Sequence, residues 1–407
     1  MTIKKISELA SFNGRPFFNR KLHVGQPNIG NRENLIRRIN KILDKKWLTN
    51  AGPYVQKFER QIAEYVGVKH CIAMCNGTIA LENAIRALDL SGEVIVPSFT
   101  FVATPNSLQW QEIAPVFCDI NPETFTIDPM QIERLITPRT TGIIGVHLWG
   151  RICDIDKLSE VAEHYKLKLL FDAAHSFGCS YKGKMIGGFG ELEVFSFHAT
   201  KFLNTLEGGA VVTNNDNLAV KIRLMKNFGF TDYDKVDYIG VNGKMNEISA
   251  AMGITGLESI EYFIDTNKTN FNLYQKELEG LKGIKVLPYN ESEKCNYQYV
   301  VLTINEKTAQ ISRDQLISLL HSENILARKY FYPGCHRMEP YRSFFPHAGL
   351  LLPQTERMAE KTVVLPTGTS INKDDIANIC DIIKIIINNA PEIQLQASQI
   401  KKQNTMH

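Results

Sequence analysis

The stretch Glu193-Val-Phe-Ser-Phe-His-Ala-Thr-Lys201, continued by Glu207-Gly-Gly209 and Ala210-Val-Val-Thr213, decides how the rest of this chain is read. An apolar strand delivers a lone lysine among Phe, Thr, Leu and Gly, where desolvation disfavours the charged amine and leaves a nucleophile able to capture a carbonyl. With 46 Lys plus Arg in the chain, a lysine after a strand is also readily a solvated or snorkelling one. A second segment shifts the balance. Leu167-Lys-Leu-Leu-Phe-Asp172-Ala-Ala-His175 is a short apolar strand that ends on a carboxylate followed by small residues. An acid at the carboxyl end of a parallel strand sits where open α/β sheets bind their ligands. Asp172 precedes Lys201 by about one strand-crossover unit, so both can face one crevice.

A carboxylate that keeps a pyridine nitrogen protonated, together with a lysine that condenses with an aldehyde, is the pair pyridoxal phosphate (PLP) chemistry requires. The third part is a cup for the phosphate. At Met74-Cys-Asn-Gly77-Thr78-Ile-Ala-Leu81, Gly77 and Thr78 precede a helix-like run. Free backbone N–H groups and the dipole at a helix start favour a phosphate there. An ordinary cap at Asn76 or Thr78 is the plainer meaning of that segment taken alone.

The windows Cys75-Asn-Gly-Thr-Ile-Ala-Leu81, Pro97-Ser-Phe-Thr-Phe-Val-Ala-Thr104, Phe171-Asp-Ala-Ala-His175 and Ser196-Phe-His-Ala-Thr-Lys201 through Glu207-Gly-Gly209 together resemble the DegT/StrS-type nucleotide-sugar aminotransferases. The likeness runs from about His23 to about Thr369. It implies the PLP-dependent, aspartate-aminotransferase-like fold, with a large mostly parallel-sheet domain and a smaller α+β domain. By the resemblance, Lys201 carries the cofactor and later moves a proton between the sugar carbon and the cofactor. Asp172 would pair with the pyridine nitrogen, His175 with the ring hydroxyl side, and Phe101 would stack on the ring. Gly77, Thr78 and Ser196 would hold the phosphate. Asn242, in Gly240-Val-Asn-Gly-Lys-Met245, matches an asparagine that reaches the phosphate of the neighbouring subunit, which implies a homodimer with shared sites. Each position also has a plain structural meaning: Phe101 as core, His175 as a satisfied histidine, Ser196 as a turn cap, Asn242 as a loop residue.

Composition accords with an enzyme. A chain of 407 residues exceeds the size at which one hydrophobic core stops growing, so two packed domains are expected. At 44% hydrophobic and 22% charged it has ordinary globular composition. A net charge of +3 is too small to argue for nucleic acid or a membrane surface. No apolar run reaches a membrane span and the first residues lack a signal-peptide core, so a cytoplasmic location is expected. The eight cysteines show no paired spacing of a zinc site, and no metal is expected.

Alternating strands and helices describe the large domain. Helices are expected at 58–65, 79–88, 155–164 and 245–258, and strands at 94–96, 142–146, 169–171, 194–196 and 210–213. A smaller unit follows, with strands near 299–303 and 325–328 and helices at 313–321 and 373–388. The division is an N-terminal arm (1–34), a large PLP-binding domain (35–260), a small C-terminal domain (261–390) and a frayed tail (391–407). A nicotinamide-binding sheet is the fold-level rival, but the Gly-x-Gly-x-x-Gly turn after a first strand is missing.

For the substrate, Tyr330-Phe-Tyr332-Pro-Gly-Cys-His336 with Arg337, Tyr341 and Arg342 sets aromatic faces beside cationic donors. That suits stacking a base and neutralising a diphosphate, and equally a subunit interface. The resemblance places this segment, with Trp47 to Pro53 and His147-Leu-Trp149-Gly-Arg151, at the nucleotide-sugar pocket. His23 to Gly30, Gly145 to Arg151, Phe331 to His336 and Leu365 to Thr369 are similar to the branch that aminates C4 of dTDP-4-keto-6-deoxyglucose. A ping-pong transamination with glutamate as donor is implied. Histidine stands in the place of Lys201 in the dehydratases of the family, so the lysine favours transamination. The same chemistry on a 3-ketosugar or a UDP- or GDP-sugar, a PLP lyase or aldolase, and a non-catalytic PLP-binding regulator are the alternatives. The regulator would carry an added DNA-binding module, which the first thirty residues are too short to supply.

Overall fold

A computed structural model describes residues 5–12 and 14–395. Its centre is a seven-stranded sheet made of β1 (His70–Met74), β2 (Glu93–Pro97), β3 (Ala114–Cys118), β4 (Thr140–Val146), β5 (Lys168–Asp172), β6 (Leu192–Ser196) and β7 (Gly209–Thr213). The spatial order is β1-β7-β6-β5-β4-β2-β3. β2 to β6 run parallel, while β7 is antiparallel to both β6 and β1. Strands buried on both faces read as continuous apolar runs. In β5, Leu169 and Phe171 enter one core and Leu170 the opposite one, as two-residue alternation dictates. Phe195 and Val194 of β6 divide in the same way.

Helices cover both faces: α1 (Arg32–Lys45), α2 (Pro53–Val66), α3 (Gly77–Ala87), α4 (Ala103–Gln109), α5 (Ile155–Tyr165), α6 (Asp216–Met225) and α7 (Glu247–Leu257). α3 starts where it does because the Asn76 side chain accepts the N–H of Ile79 at 2.8 Å, and it continues on buried Ala80, Leu81, Ala84 and Ile85. α1 escaped the sequence reading because Ile42 is its one fully buried residue. The 18-residue α8 (Ile260–Glu277) also escaped, beginning after a break at Ser259 that directly follows α7.

The C-terminal part has its own sheet of β8 (Ile284–Val286), β9 (Val300–Ile304) and β10 (Thr362–Leu365), packed with α8, α9 (Arg313–Ser322) and α10 (Lys373–Asn388). α10 opens with a capping box between Asn372 and Asp375 and buries Ile376, Ile379, Ile383 and Ile386. Two expectations need adjusting. Residues in the N-terminal segment are bound into this C-terminal core: Ile6, Leu9, Phe18 and Leu22 are buried in it, and Leu22–His23 pairs in parallel with Ile325–Leu326. The chain is not frayed directly after Pro391, since residues 391–395 are helical and Ile393 is buried; residues 396–407 of the expected tail lie outside the described residues.

Candidate active site

The parallel strands converge on one edge of the large sheet. β1 ends at Met74, level with Gly209 of β7, which in turn is level with Ser196 of β6. Asp172 of β5 is one strand further and lies level with Val146 of β4. A cavity of about 660 Å³ opens at this edge. Asn76, Gly77, Thr78, Phe101, Asp172, His175, Ser196 and Lys201 all line it. Seven of the residues read from the sequence as cofactor-binding thus meet in one place because each ends or closely follows a strand of the same sheet.

The floor is tightly built. The N–H groups of Gly77 and Thr78 are left open by the start of α3, because Asn76 takes only the N–H of Ile79. A Cβ on Gly77 would stand 2.9 Å from that of Ser196, and one on Gly209 would stand 2.6 Å from the backbone of Asn76. Glycine at both positions lets two strand ends reach the helix start. Asp172 is buried and accepts from Thr104 Oγ1 at 2.8 Å and from the N–H of Ala174 at 3.1 Å. Burial pushes its carboxyl up; those two donors and the Lys201 amine pull it back toward the ionised form.

Lys201 follows a turn closed by its own N–H to the carbonyl of His198 at 2.8 Å. Burial lowers its amine to about 8, against the attraction of Asp172. His175 Nδ1 accepts the backbone N–H of Trp149 at 3.3 Å, which leaves the proton on Nε2. Burial and then the Lys201 charge hold this ring neutral, well below the usual histidine range. Phe101 is 58% exposed, an aromatic face presented to the cavity rather than a core ring.

Sequence reasoning was less successful on the substrate side. Tyr330 lines the cavity, but Trp149, Arg151, Tyr332 and His336 do not. Trp149 is fully buried and packs on Phe99, Phe125 and Phe331, so its expected substrate contact is corrected: it lies behind the wall and acts on His175 through its backbone. Arg151 donates to the carbonyls of Leu287 and Pro288 at 2.9 and 3.1 Å and lies over the Tyr289 ring, which ties the large sheet to the C-terminal part. Tyr332 is held beneath the Arg313 and Lys329 cations, turned from the cavity. His336 is buried between Ser98 Oγ and Glu356 Oε1, each at 2.7 Å. It staples its segment to the Ser98–Phe101 turn, assisted by Cys335 N–H to the Ser98 carbonyl at 2.9 Å. Asn242 is exposed and outside this cavity, with its backbone bridged to Asn227.

Several supporting residues carried no sequence signal. Asn296 donates from its side chain to the carbonyls of His175 and Phe177, both at 3.0 Å, and Gln298 to the carbonyl of Thr200 at 3.0 Å. Asn28 donates to the Phe202 carbonyl at 3.1 Å and accepts from Thr369. Far from Lys201 in the chain, Gln298 and Asn28 thus hold the two residues that flank the lysine, while Asn296 holds the His175 segment. His23 to Pro27, His198 and Arg328 complete the wall. The described residues contain no cluster able to hold a metal ion.

Comparison with known proteins accords with this site. The chain is 36% identical over 368 residues to a dTDP-4-amino-4,6-dideoxy-D-glucose transaminase of Escherichia coli, covering 90% of this chain and 98% of that protein. It is 34% identical to the GDP-perosamine synthase of Escherichia coli O157:H7, over 88% and 97% of the two chains. The crystal structure of DesI in the presence of its TDP-sugar product superposes with a TM-score of 0.93 at 44% identity, over 97% of this chain and 100% of that one. The sequence pattern of one family spans residues 30–384. The chain belongs to the DegT/DnrJ/EryC1/StrS aminotransferase family.

Proposed function

We propose that this protein is a PLP-dependent nucleotide-sugar transaminase that moves an amino group from glutamate to C4 of dTDP-4-keto-6-deoxyglucose, giving dTDP-4-amino-4,6-dideoxyglucose. The observation that carries the reading is the meeting of Lys201, Asp172 and the open start of α3 in one cavity. The sugar is supported by the 36% identical transaminase and by the 44% identical DesI structure with its TDP-sugar product.

The residues present fit the cofactor by their chemistry. The Gly77 and Thr78 amides with Ser196 suit a phosphate, Asp172 a pyridine nitrogen, Phe101 a ring face, His175 the ring hydroxyl side and Lys201 an aldehyde carbon. When bound, PLP supplies an electron sink for the carbanion formed beside the transferred nitrogen. The chain supplies the rest. Asp172, whose ionised form is favoured by Thr104 Oγ1 and the Ala174 N–H against the effect of burial, would hold a proton on the pyridine nitrogen. Lys201, with its amine near 8, is a poised base that takes a proton from the donor carbon and, in the second half, returns one to C4 of the sugar. His175 donates only through Nε2, since Nδ1 is engaged by Trp149. The Gln298 and Asn28 amides keep the lysine turn from wandering, and the Asn296 amide does the same for the His175 segment.

The homodimer belongs to the same proposal. Tyr233 and Ile239, 95% and 78% exposed on the excursion around the hairpin Phe230–Asp232 and Lys235–Val236, lie in the same region as exposed Asn242. Apolar exposure on this scale beside a site-matching asparagine favours a partner surface. The cytoplasmic location read from composition goes with this function; among the described residues no helix is long and apolar enough to cross a membrane.

The test is incubation with PLP, amino-nitrogen-labelled glutamate and dTDP-4-keto-6-deoxyglucose. Label at C4 of the product sugar is expected. Label at C3, or transfer only to a GDP- or UDP-linked sugar, would replace the substrate while keeping the chemistry.

A further inference from the structure

The cavity holds two cationic side chains of the Lys or Arg type, Lys201 and Arg328. Lys201 sits deep and is committed to the reacting carbon. Arg328 comes from the C-terminal part of the chain and is exposed, with its guanidinium 5.1 Å from the centroid of the Tyr330 ring. Its backbone is pinned on both sides to Val364 of β10, N–H to carbonyl at 3.0 Å and carbonyl to N–H at 2.9 Å. The neighbouring cations are differently engaged: Arg313 and Lys329 pair with Asp314, and Arg337 with Glu356. Arg328 forms no ion pair with a carboxylate among the described residues. A guanidinium held over an aromatic ring, on a rigid strand bridge and facing a cavity, is preorganised for a planar or multi-oxygen anion.

Both substrates of the proposed reaction are anions that occupy this cavity in turn. Resting on that reading, we infer that Arg328 is the anion anchor of the site, a binding residue that takes the carboxylate of the amino donor in one half-reaction and the diphosphate of the nucleotide sugar in the other. The Tyr330 face holds the guanidinium in place between the two visits. This supplies the donor clamp that no stretch of the sequence singled out.

The test uses the PLP-loaded enzyme and measures the two half-reactions separately, by the visible absorption of the cofactor. Glutamate and dTDP-4-keto-6-deoxyglucose are titrated against wild type, Arg328→Gln and Arg328→Lys. The Gln variant is expected to keep its visible band and its rate at saturation. Its half-saturating concentrations should rise about tenfold to a hundredfold, the scale of a lost charge-assisted hydrogen bond. Lys should recover part of the loss, which a merely structural role would not produce. A rise for glutamate alone would assign the anchor to the donor carboxylate, and a rise for the nucleotide sugar alone would assign it to the diphosphate. Half-saturation unmoved for both substrates, in a variant whose wild-type parent responds to both, would overturn the inference alone. A wild-type enzyme that responds to neither substrate would overturn the functional reading and the inference with it.

Discussion

The edge of the large sheet and the segment from Arg328 to His336 both carry residues of the site, yet they are built on different principles. At the sheet edge, Asp172 and Ser196 end their strands and Gly77, Phe101 and Lys201 follow theirs by a few residues, and the ladder of strands aims them into one cavity. In the later segment, Tyr330 enters the cavity while Tyr332 and His336, a few residues on, point elsewhere. Strand-end residues are positioned by register, which is local and repetitive. Loop residues are positioned by partners distant in the chain: Ser98 and Glu356 for His336, Arg313 for Tyr332.

Predictions sort by which of these regions they disturb. Replacing Lys201 with Ala should have the largest effect, a loss of turnover of at least about a thousandfold, as expected when the general base is removed. Steady-state assay at saturating substrates checks it, and unimpaired turnover would detach the sheet edge from the chemistry. Asp172→Asn keeps the shape and the Thr104 contact but removes the charge. Turnover should fall by about a hundredfold or more, in keeping with loss of a preorganised electrostatic group. A variant with wild-type rates would show that the carboxylate is only structural.

The pH dependence is intermediate in size. The Lys201 amine near 8 is protonated, and not nucleophilic, below that value. The rate at which cofactor-free protein recombines with PLP should therefore climb about tenfold from about pH 7 to about pH 9 and then level off. A rate that falls with pH over this range would contradict the depressed amine.

Smaller effects are expected from the loop segment. His336→Ala breaks the staple between Ser98 and Glu356, at a cost of about 1–3 kcal/mol in thermal unfolding for a buried partner left unpaired. KM for the nucleotide sugar should rise several-fold while the glutamate half-reaction stays near wild type. Equal damage to both halves would mean that the staple supports the whole cavity. Trp149→Phe should be the mildest for catalysis: about 1–3 kcal/mol of stability lost to the smaller ring, with KM unchanged. A raised KM for the sugar would return Trp149 to the substrate wall.

Legibility followed the same division. Lys201, Asp172 and Gly77 could be read because apolar strand, special residue and helix start recur in a fixed order, and the sheet does the rest. The sheet strands β2, β4, β5, β6 and β7 were legible as apolar runs, and α10 as a closing helix over 373–388. Trp149 and Arg151 misled because an aromatic residue and a cation beside a strand end look the same whether they face a cavity or the opposite core. Only the carbonyls of Leu287 and Pro288, far along the chain, decide that Arg151 faces inward. Asn28, Asn296 and Gln298 were silent because a single side-chain amide in a loop has no periodicity. Arg328 was read only as the end of a strand at 325–328, and it is the bridge to Val364, far along the chain, that sets it at the cavity.

The most direct test of the account is a visible spectrum of the PLP-loaded protein, followed on addition of glutamate and then of dTDP-4-keto-6-deoxyglucose. The account predicts a band that bleaches with glutamate and returns with the ketosugar. A band indifferent to glutamate, or no band at all after incubation with PLP, would contradict it.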